Sequence, residues 1–129
     1  MEWKIDAQRK AILQDKSRYK VICSGRRWGK SFMSVMWLLH TPLKSNERRW
    51  IVFPTYRQAK MVSWSLLKDL FAGKPVRINE TELSITLDNG AKIELKGADK
   101  PDSLRGVSTT MVVLDEYSYM KENVWGEII

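Results

Sequence analysis

Cysteine is nearly missing from this chain, and the shortage bounds what the chain can be. One cysteine, Cys23, in 129 residues rules out an intrachain disulfide framework and suits a reducing compartment. An amino-terminal apolar run is also missing: the sequence opens Met1-Glu2-Trp3-Lys4, which lacks the form of a secretory leader. There is no long hydrophobic run. The longest greasy segment, Phe32 to Leu39, falls far short of the roughly 20 apolar residues that cross a bilayer as a helix. No internal repeat, low-complexity tract or linker divides the chain, so it reads as one domain or part of one.

What is present is ordinary in bulk and distinctive in places. Hydrophobic residues make up 43% and charged residues 29%, with a net charge of +7. Those fractions are those of a soluble globular domain. The positive excess suits a polyanionic partner such as nucleotide or nucleic acid, and plain solubility accounts for it equally well. The length is enough to bury a core, at the small end for a nucleotide-binding α/β unit.

The chain is organised around Val21-Ile22-Cys23-Ser24-Gly25-Arg26-Arg27-Trp28-Gly29-Lys30-Ser31. A short apolar run, with Cys23 as a small core residue, predicts a strand. The loop with two glycines follows, then a segment of helical spacing. Backbone without Cβ atoms can turn tightly and point its N–H groups into one cavity. The following helix N-terminus adds partial positive charge there. Lys30 can reach β- and γ-phosphates and the Ser31 hydroxyl can ligate Mg²⁺. The match to G-x-x-x-x-G-K-[ST] departs at its first position, where Ser24 stands and Gly25 follows.

A second motif lies downstream. Met111-Val112-Val113-Leu114 is a continuous apolar run ending in Asp115-Glu116, the form of a Walker B strand. At the carboxyl end of a buried strand the first acid can hold a Mg²⁺ shell. The second can orient or deprotonate a water. Together the two motifs point to a P-loop ATPase.

The other segments read as alternating helices and strands. Asp6 predicts a cap for a short helix to about Asp15, with Ala7, Ala11 and Ile12 on one face. Gln8 in its first turn reads as a solvated side chain or as an amide that contacts an adenine edge. Ser31 begins a helix apolar nearly all round, with Phe32, Val35, Met36 and Leu39 at i, i+3, i+4 and i+7. Trp50-Ile51-Val52-Phe53 predicts a buried parallel strand. Thr55 and Gln58 have capping-box spacing, with Ala59, Val62, Leu66 and Leu70 as the buried stripe. Leu83 to Leu95 predicts a hairpin. A three-residue loop, Asp88-Asn89-Gly90, pairs Ile85 with Ile93 and Leu87 with Ala91, and keeps one face apolar.

These stretches resemble the ATPase portion of tailed-phage terminase large subunits, the motors that package DNA. The likeness is carried by the phosphate loop, by Val52-Phe53-Pro54-Thr55-Tyr56-Arg57-Gln58-Ala59-Lys60, and by Asn89-Gly90-Ala91-Lys92-Ile93-Glu94-Leu95-Lys96-Gly97-Ala98. It extends through Asp102-Ser103-Leu104-Arg105-Gly106 and Val112-Val113-Leu114-Asp115-Glu116-Tyr117. The Gly-Arg-Arg-x-Gly-Lys-Ser form is typical of that family, so Ser24 agrees with it.

The resemblance implies an α/β P-loop NTPase with a parallel, RecA/ASCE-like central sheet plus a hairpin, broken off after the Walker B strand. Residues 1–129 would be a partial ATPase domain without the family's nuclease. It implies ATP and Mg²⁺ as cofactors. Ser24, Gly25, Arg26, Arg27, Trp28, Gly29, Lys30 and Ser31 would lie around the phosphates, with Ser31 and Asp115 at the metal. Glu116 would act on the water, Arg26 on the γ-phosphate in cis, and Arg105 on a neighbouring subunit's ATP. For Arg105 and Arg27 a solvent-facing loop arginine is the competing reading. Gln8 falls where the family's adenine-recognising glutamine lies. Implied partners are double-stranded DNA, the portal protein, the small terminase subunit and other copies in a ring, in the bacterial host cytoplasm and without a membrane. A superfamily 2 helicase is the alternative, since Pro54-Thr55-Tyr56-Arg57-Gln58-Ala59 and Asp115-Glu116 resemble its motifs. An inactive truncated remnant is the other. Lys30→Ala is expected to abolish nucleotide binding or turnover in the intact protein, and wild-type turnover in that variant would overturn the phosphate-loop assignment.

Overall fold

The computed structural model describes residues 6–23 and 29–128. Its centre is β1 (Arg48–Phe53), in which every residue after Arg48 is buried. That is the burial expected of a strand covered on both faces and paired on both edges. β1 runs parallel to β4 (Lys92–Gly97) on one edge and to β5 (Met111–Leu114) on the other. Two further strands, β2 (Val76–Asn79) and β3 (Ser84–Leu87), extend the sheet antiparallel from β4. The order is β2-β3-β4-β1-β5, a parallel core with an antiparallel flank.

Alternation along β1 sends its side chains into two cores. Ile51 and Phe53 pack with Val35 and Leu38 of α2 (Lys30–Leu39). The same cluster takes in Ala59 of α3 (Tyr56–Ala59), Trp64 of a π turn (Lys60–Trp64) and Leu67 of α4 (Ser65–Leu70). Trp50 and Val52 face the other way, onto Leu104 of a 3₁₀ turn (Pro101–Leu104) and Val124 of α5 (Asn123–Ile128).

The hairpin forms in the expected register. Ile85 pairs with Ile93, and the Leu87 N–H donates to the Ala91 carbonyl at 2.8 Å. Gly90 lies in the left-handed region at φ 85°. The helix from Thr55 forms with the expected cap, Thr55 accepting from the Gln58 N–H. Its buried face departs from the expected stripe. Val62 is 49% exposed, whereas Ser63, Trp64, Leu67 and Phe71 are buried. The π turn is the cause, because its wider turn rotates later residues relative to a 3.6-residue repeat.

Two other expectations are corrected, and one strand is added. Val21-Ile22-Cys23 forms no strand, and Val21 is 90% exposed with Cys23 also exposed. The tripeptide joins no ladder among the described residues, and β5 is an edge strand of the sheet there. α1 (Ala7–Gln14) is capped by Asp6 as expected but buries none of its residues. Ala7, Ala11 and Ile12 are too small and few to make a packing stripe. β2 was not anticipated, since Val76-Arg77-Ile78-Asn79 offers two apolar residues on a largely exposed edge.

Glu47, just before β1, accepts from Arg49 Nε at 2.9 Å, the Lys44 N–H at 2.7 Å and Thr110 Oγ1 at 2.5 Å. Burial pushes its carboxyl up, but the hydrogen bonds and the Arg49 charge outweigh that and hold it down at about 2. A depressed carboxyl stabilises the fold above its unfolded value of 4.5, and that stability is lost as pH falls towards about 2. Acid titration of the wild type is expected to lose on the order of 2–3 kcal/mol across this window. Glu47→Gln should flatten that part of the curve, and an identical acid limb in the variant would refute the assignment.

Candidate active site

The parallel core aims the carboxyl ends of β4, β1 and β5 to one side, where open α/β sheets bind ligands. α2 begins on that side. Gly29 opens it at φ 86°, and its carbonyl accepts from the Met33 N–H at 2.9 Å. A side chain would be strained at that φ. Lys30 and Ser31 therefore fall in the first helical turn, where backbone N–H groups are unpaired within the helix.

Asp115 follows β5 directly. Its N–H donates to the Val52 carbonyl at 2.9 Å, which fixes it to the end of β1. Its carboxylate is 8% exposed, and Oδ2 accepts from Ser31 Oγ at 3.2 Å. Two motifs read separately in the sequence thus meet as one hydrogen-bonded pair. Burial pushes the Asp115 carboxyl up, and the neighbouring Glu116 charge adds to this. The Ser31 hydrogen bond and the Lys30 charge oppose it without cancelling it. A buried carboxylate with a hydroxyl as its neighbour is a hard-oxygen pair that suits Mg²⁺, which takes one or two protein ligands and completes its shell with phosphate and water. Among the described residues there is no cluster of three or more His, Cys, Asp or Glu able to hold a metal.

Glu116 is exposed and sits at φ 56°, ψ 42°, in the left-handed region. Its carbonyl accepts from the Tyr119 N–H at 3.0 Å, closing a 3₁₀ turn (Tyr117–Tyr119). A glutamate in that conformation costs free energy that glycine would not, and such outliers concentrate at functional sites. Here the conformation turns the chain sharply beside Asp115 and leaves a second carboxylate facing solvent at the same strand end.

The other candidates are placed unevenly. Gln8 lies exposed in the first turn of α1. α1 approaches Gly29 through Arg9, whose Nη2 lies 3.4 Å from where a Cβ on Gly29 would stand. Arg105 caps the 3₁₀ turn that covers the second core, is 56% exposed and pairs with Asp102 at 3.2 Å. Ser24, Gly25, Arg26, Arg27 and Trp28 lie outside the described residues. Gly97 had no role of its own in the sequence reading. It ends β4 where the Tyr56 N–H donates to Asp99 Oδ1 at 3.1 Å. A Cβ there would collide with the Tyr56 backbone nitrogen and with Asp99 Oδ1. A glycine closing a strand at the ligand side of a sheet was the available signal.

The sequence profile of the family described as terminase large subunit, T4likevirus-type, N-terminal, matches residues 21–126. The terminase large subunit of Thermus virus P23-45 is 29% identical over 140 residues, covering 92% of this chain and 29% of that protein. That of Escherichia phage T5 is 29% identical over 109 residues, covering 82% and 25%. The chain thus spans under a third of the curated relatives it matches. Among solved structures, the large terminase ATPase domain of Thermus phage P74-26 superposes with a TM-score of 0.74 at 26% identity, covering 98% of this chain and 59% of that one. The large terminase of the thermophilic bacteriophage D6E shares the fold at a TM-score of 0.65 and 16% identity, covering 98% and 36%.

The raised carboxyl generates a test. An acid whose folded pKa is raised gives the fold a stabilisation that is fully present below its unfolded value and is lost as pH rises through the folded value. At neutral pH the ionised, buried Asp115 is a net cost to the fold. Asp115→Asn keeps an acceptor for Ser31, and is expected to raise the melting temperature without nucleotide while abolishing the further rise given by Mg²⁺-ATP. An unchanged or lowered melting temperature, or a retained Mg²⁺-ATP response, would count against this site.

Proposed function

The chain belongs to the terminase large subunit, T4likevirus-type, N-terminal family, and on that premise we propose that it is the ATP-binding and hydrolysing part of a phage DNA-packaging motor. The observation that carries the reading is the Ser31–Asp115 hydrogen bond, which joins the phosphate-loop helix to the Walker B strand. Ser31 and Asp115 would hold Mg²⁺, and the ion, when bound, offsets charge on the β- and γ-phosphates. Lys30, in the first turn of α2, would bring its ammonium to the same phosphates. Glu116 orients the attacking water and accepts its proton, for which an exposed carboxylate beside the metal ligand is suitably placed.

Gln8 reads the adenine edge from the helix that approaches Gly29. Ser24, Gly25, Arg26, Arg27, Trp28 and Gly29 wrap the phosphates, with Arg26 acting on the γ-phosphate. Arg105, on an exposed turn, serves as a finger into a neighbouring copy's site, a role worth about 10³–10⁵ in rate where it operates. Hydrolysis would drive double-stranded DNA, with the portal protein, small subunit and other copies as partners, in the bacterial host cytoplasm. The net charge of +7 agrees with a DNA partner. No helix among the described residues is long and apolar enough to cross a membrane. Residues 1–129 belong to the ATPase portion, and no nuclease role is assigned to them.

Glu116→Gln in the protein carrying this chain is expected to leave the ATP dissociation constant within about twofold and to lower hydrolysis by about 10²–10⁴. Loss of binding instead would make Glu116 structural. Unchanged hydrolysis would remove it from the chemistry.

A further inference from the structure

The far ends of the two site-bearing elements meet on one buried ion pair. Arg49, on β1, is 2% exposed. Its Nη1 donates to the Leu38 carbonyl at 2.5 Å and the Thr41 carbonyl at 2.9 Å, and its Nη2 donates to the Pro42 carbonyl at 2.9 Å. These lie at and just beyond the carboxyl end of α2, where helix carbonyls have no partners of their own and where positive charge complements the helix dipole. The same guanidinium holds Glu47 through Nε and Nη2, at 2.9 and 3.3 Å. Glu47 in turn accepts from Thr110, the residue before β5. Arg49 is also the direct parallel partner of Met111, the first residue of β5.

We propose that Arg49 is a positioning residue for the nucleotide site, acting through α2 and, by way of Glu47 and Thr110, through β5. The inference rests on the nucleotide reading given above. α2 is a ten-residue helix, a rod of about 15 Å, so fixing its carboxyl end fixes the tilt at which Ser31 is presented. β5 carries Asp115 at its other end. Both members of the Ser31–Asp115 pair therefore hang from supports tied to one guanidinium. Its planar fork serves three carbonyls and a carboxylate at once, a geometry that an ammonium does not reproduce. A small rotation of α2 would open the hydroxyl–carboxylate pair while leaving the apolar core largely in place.

The decisive quantity is the metal-dependent part of ATP affinity. It is the ratio of the dissociation constants of a fluorescent ATP analogue in EDTA and in Mg²⁺, measured on the full chain well below its melting temperature. Arg49→Lys should lower that ratio about tenfold. Ile85→Ala, a lesion in the same apolar core but on β3 and outside the Arg49 hydrogen bonds, should melt lower and keep the wild-type ratio. Thr110→Val removes the link to Glu47 together with the longer contact of the same hydroxyl to the Arg48 carbonyl, and should lower the ratio by about threefold; it decides the matter if the lysine variant fails to fold. A wild-type ratio in folded Arg49→Lys, or in Thr110→Val when Arg49→Lys does not fold, overturns the positioning role and leaves the nucleotide reading standing. A ratio of one in the wild-type chain overturns the nucleotide reading and this inference with it.

Discussion

A strand hydrogen-bonded on both edges and covered on both faces leaves nothing on it free to move, and β1 is held in that way. Its ladders to β4 and β5 are parallel, so all three strands deliver their carboxyl ends to one side. Everything functional in the fold is positioned relative to it. α2 packs on one face through Val35 and Leu38. Asp115 is fixed to its end by the bond to the Val52 carbonyl, and α3 leaves that same end under the Thr55 cap. In the flank only β3 runs against this direction, and β2 again ends towards the ligand side.

Burial on such a strand also explains where the ionic interactions lie. Charged groups are placed at the strand's margins and satisfied there. Glu94, opposite Trp50 on β4, receives the Trp50 indole N–H at 3.2 Å, Arg48 at 3.3 Å and Lys96 at 3.1 Å. Burial pushes this carboxyl up, but Lys96 and its other neighbours outweigh that and leave it below the usual carboxylate range. Asp115 is the opposite case, buried with too few partners to bring it down. The contrast separates a carboxylate whose neighbours outweigh its burial from one whose neighbours do not.

Much of this was legible in the sequence where local pattern and tertiary demand agree. Met111-Val112-Val113-Leu114 before two acids could be read as a strand end with chemistry on it, and the Ser31–Asp115 contact follows from that placement. The hairpin register followed from pairing Ile85 with Ile93, because the alternative sets charge against apolar surface. What escaped depends on context. The apolar character of Val21-Ile22-Cys23 predicts a strand, yet a strand is made by its ladder partners and this tripeptide has none among the described residues. The π turn at Lys60–Trp64 leaves the spacing of Ala59, Val62, Leu66 and Leu70 intact in the sequence while rotating it in space. Arg49 was overlooked because a charge beside Trp50 reads as the end of an apolar run. The clue was Glu47, two residues earlier and hence on the same side of the extended chain.

The exposed Cys23 has a practical consequence. It is the chain's sole thiol and stands at the surface immediately before the phosphate loop. A thiol-reactive dye would therefore label the native sequence at one address. Its emission would report on the surface at Cys23, and these residues would need no engineered cysteine.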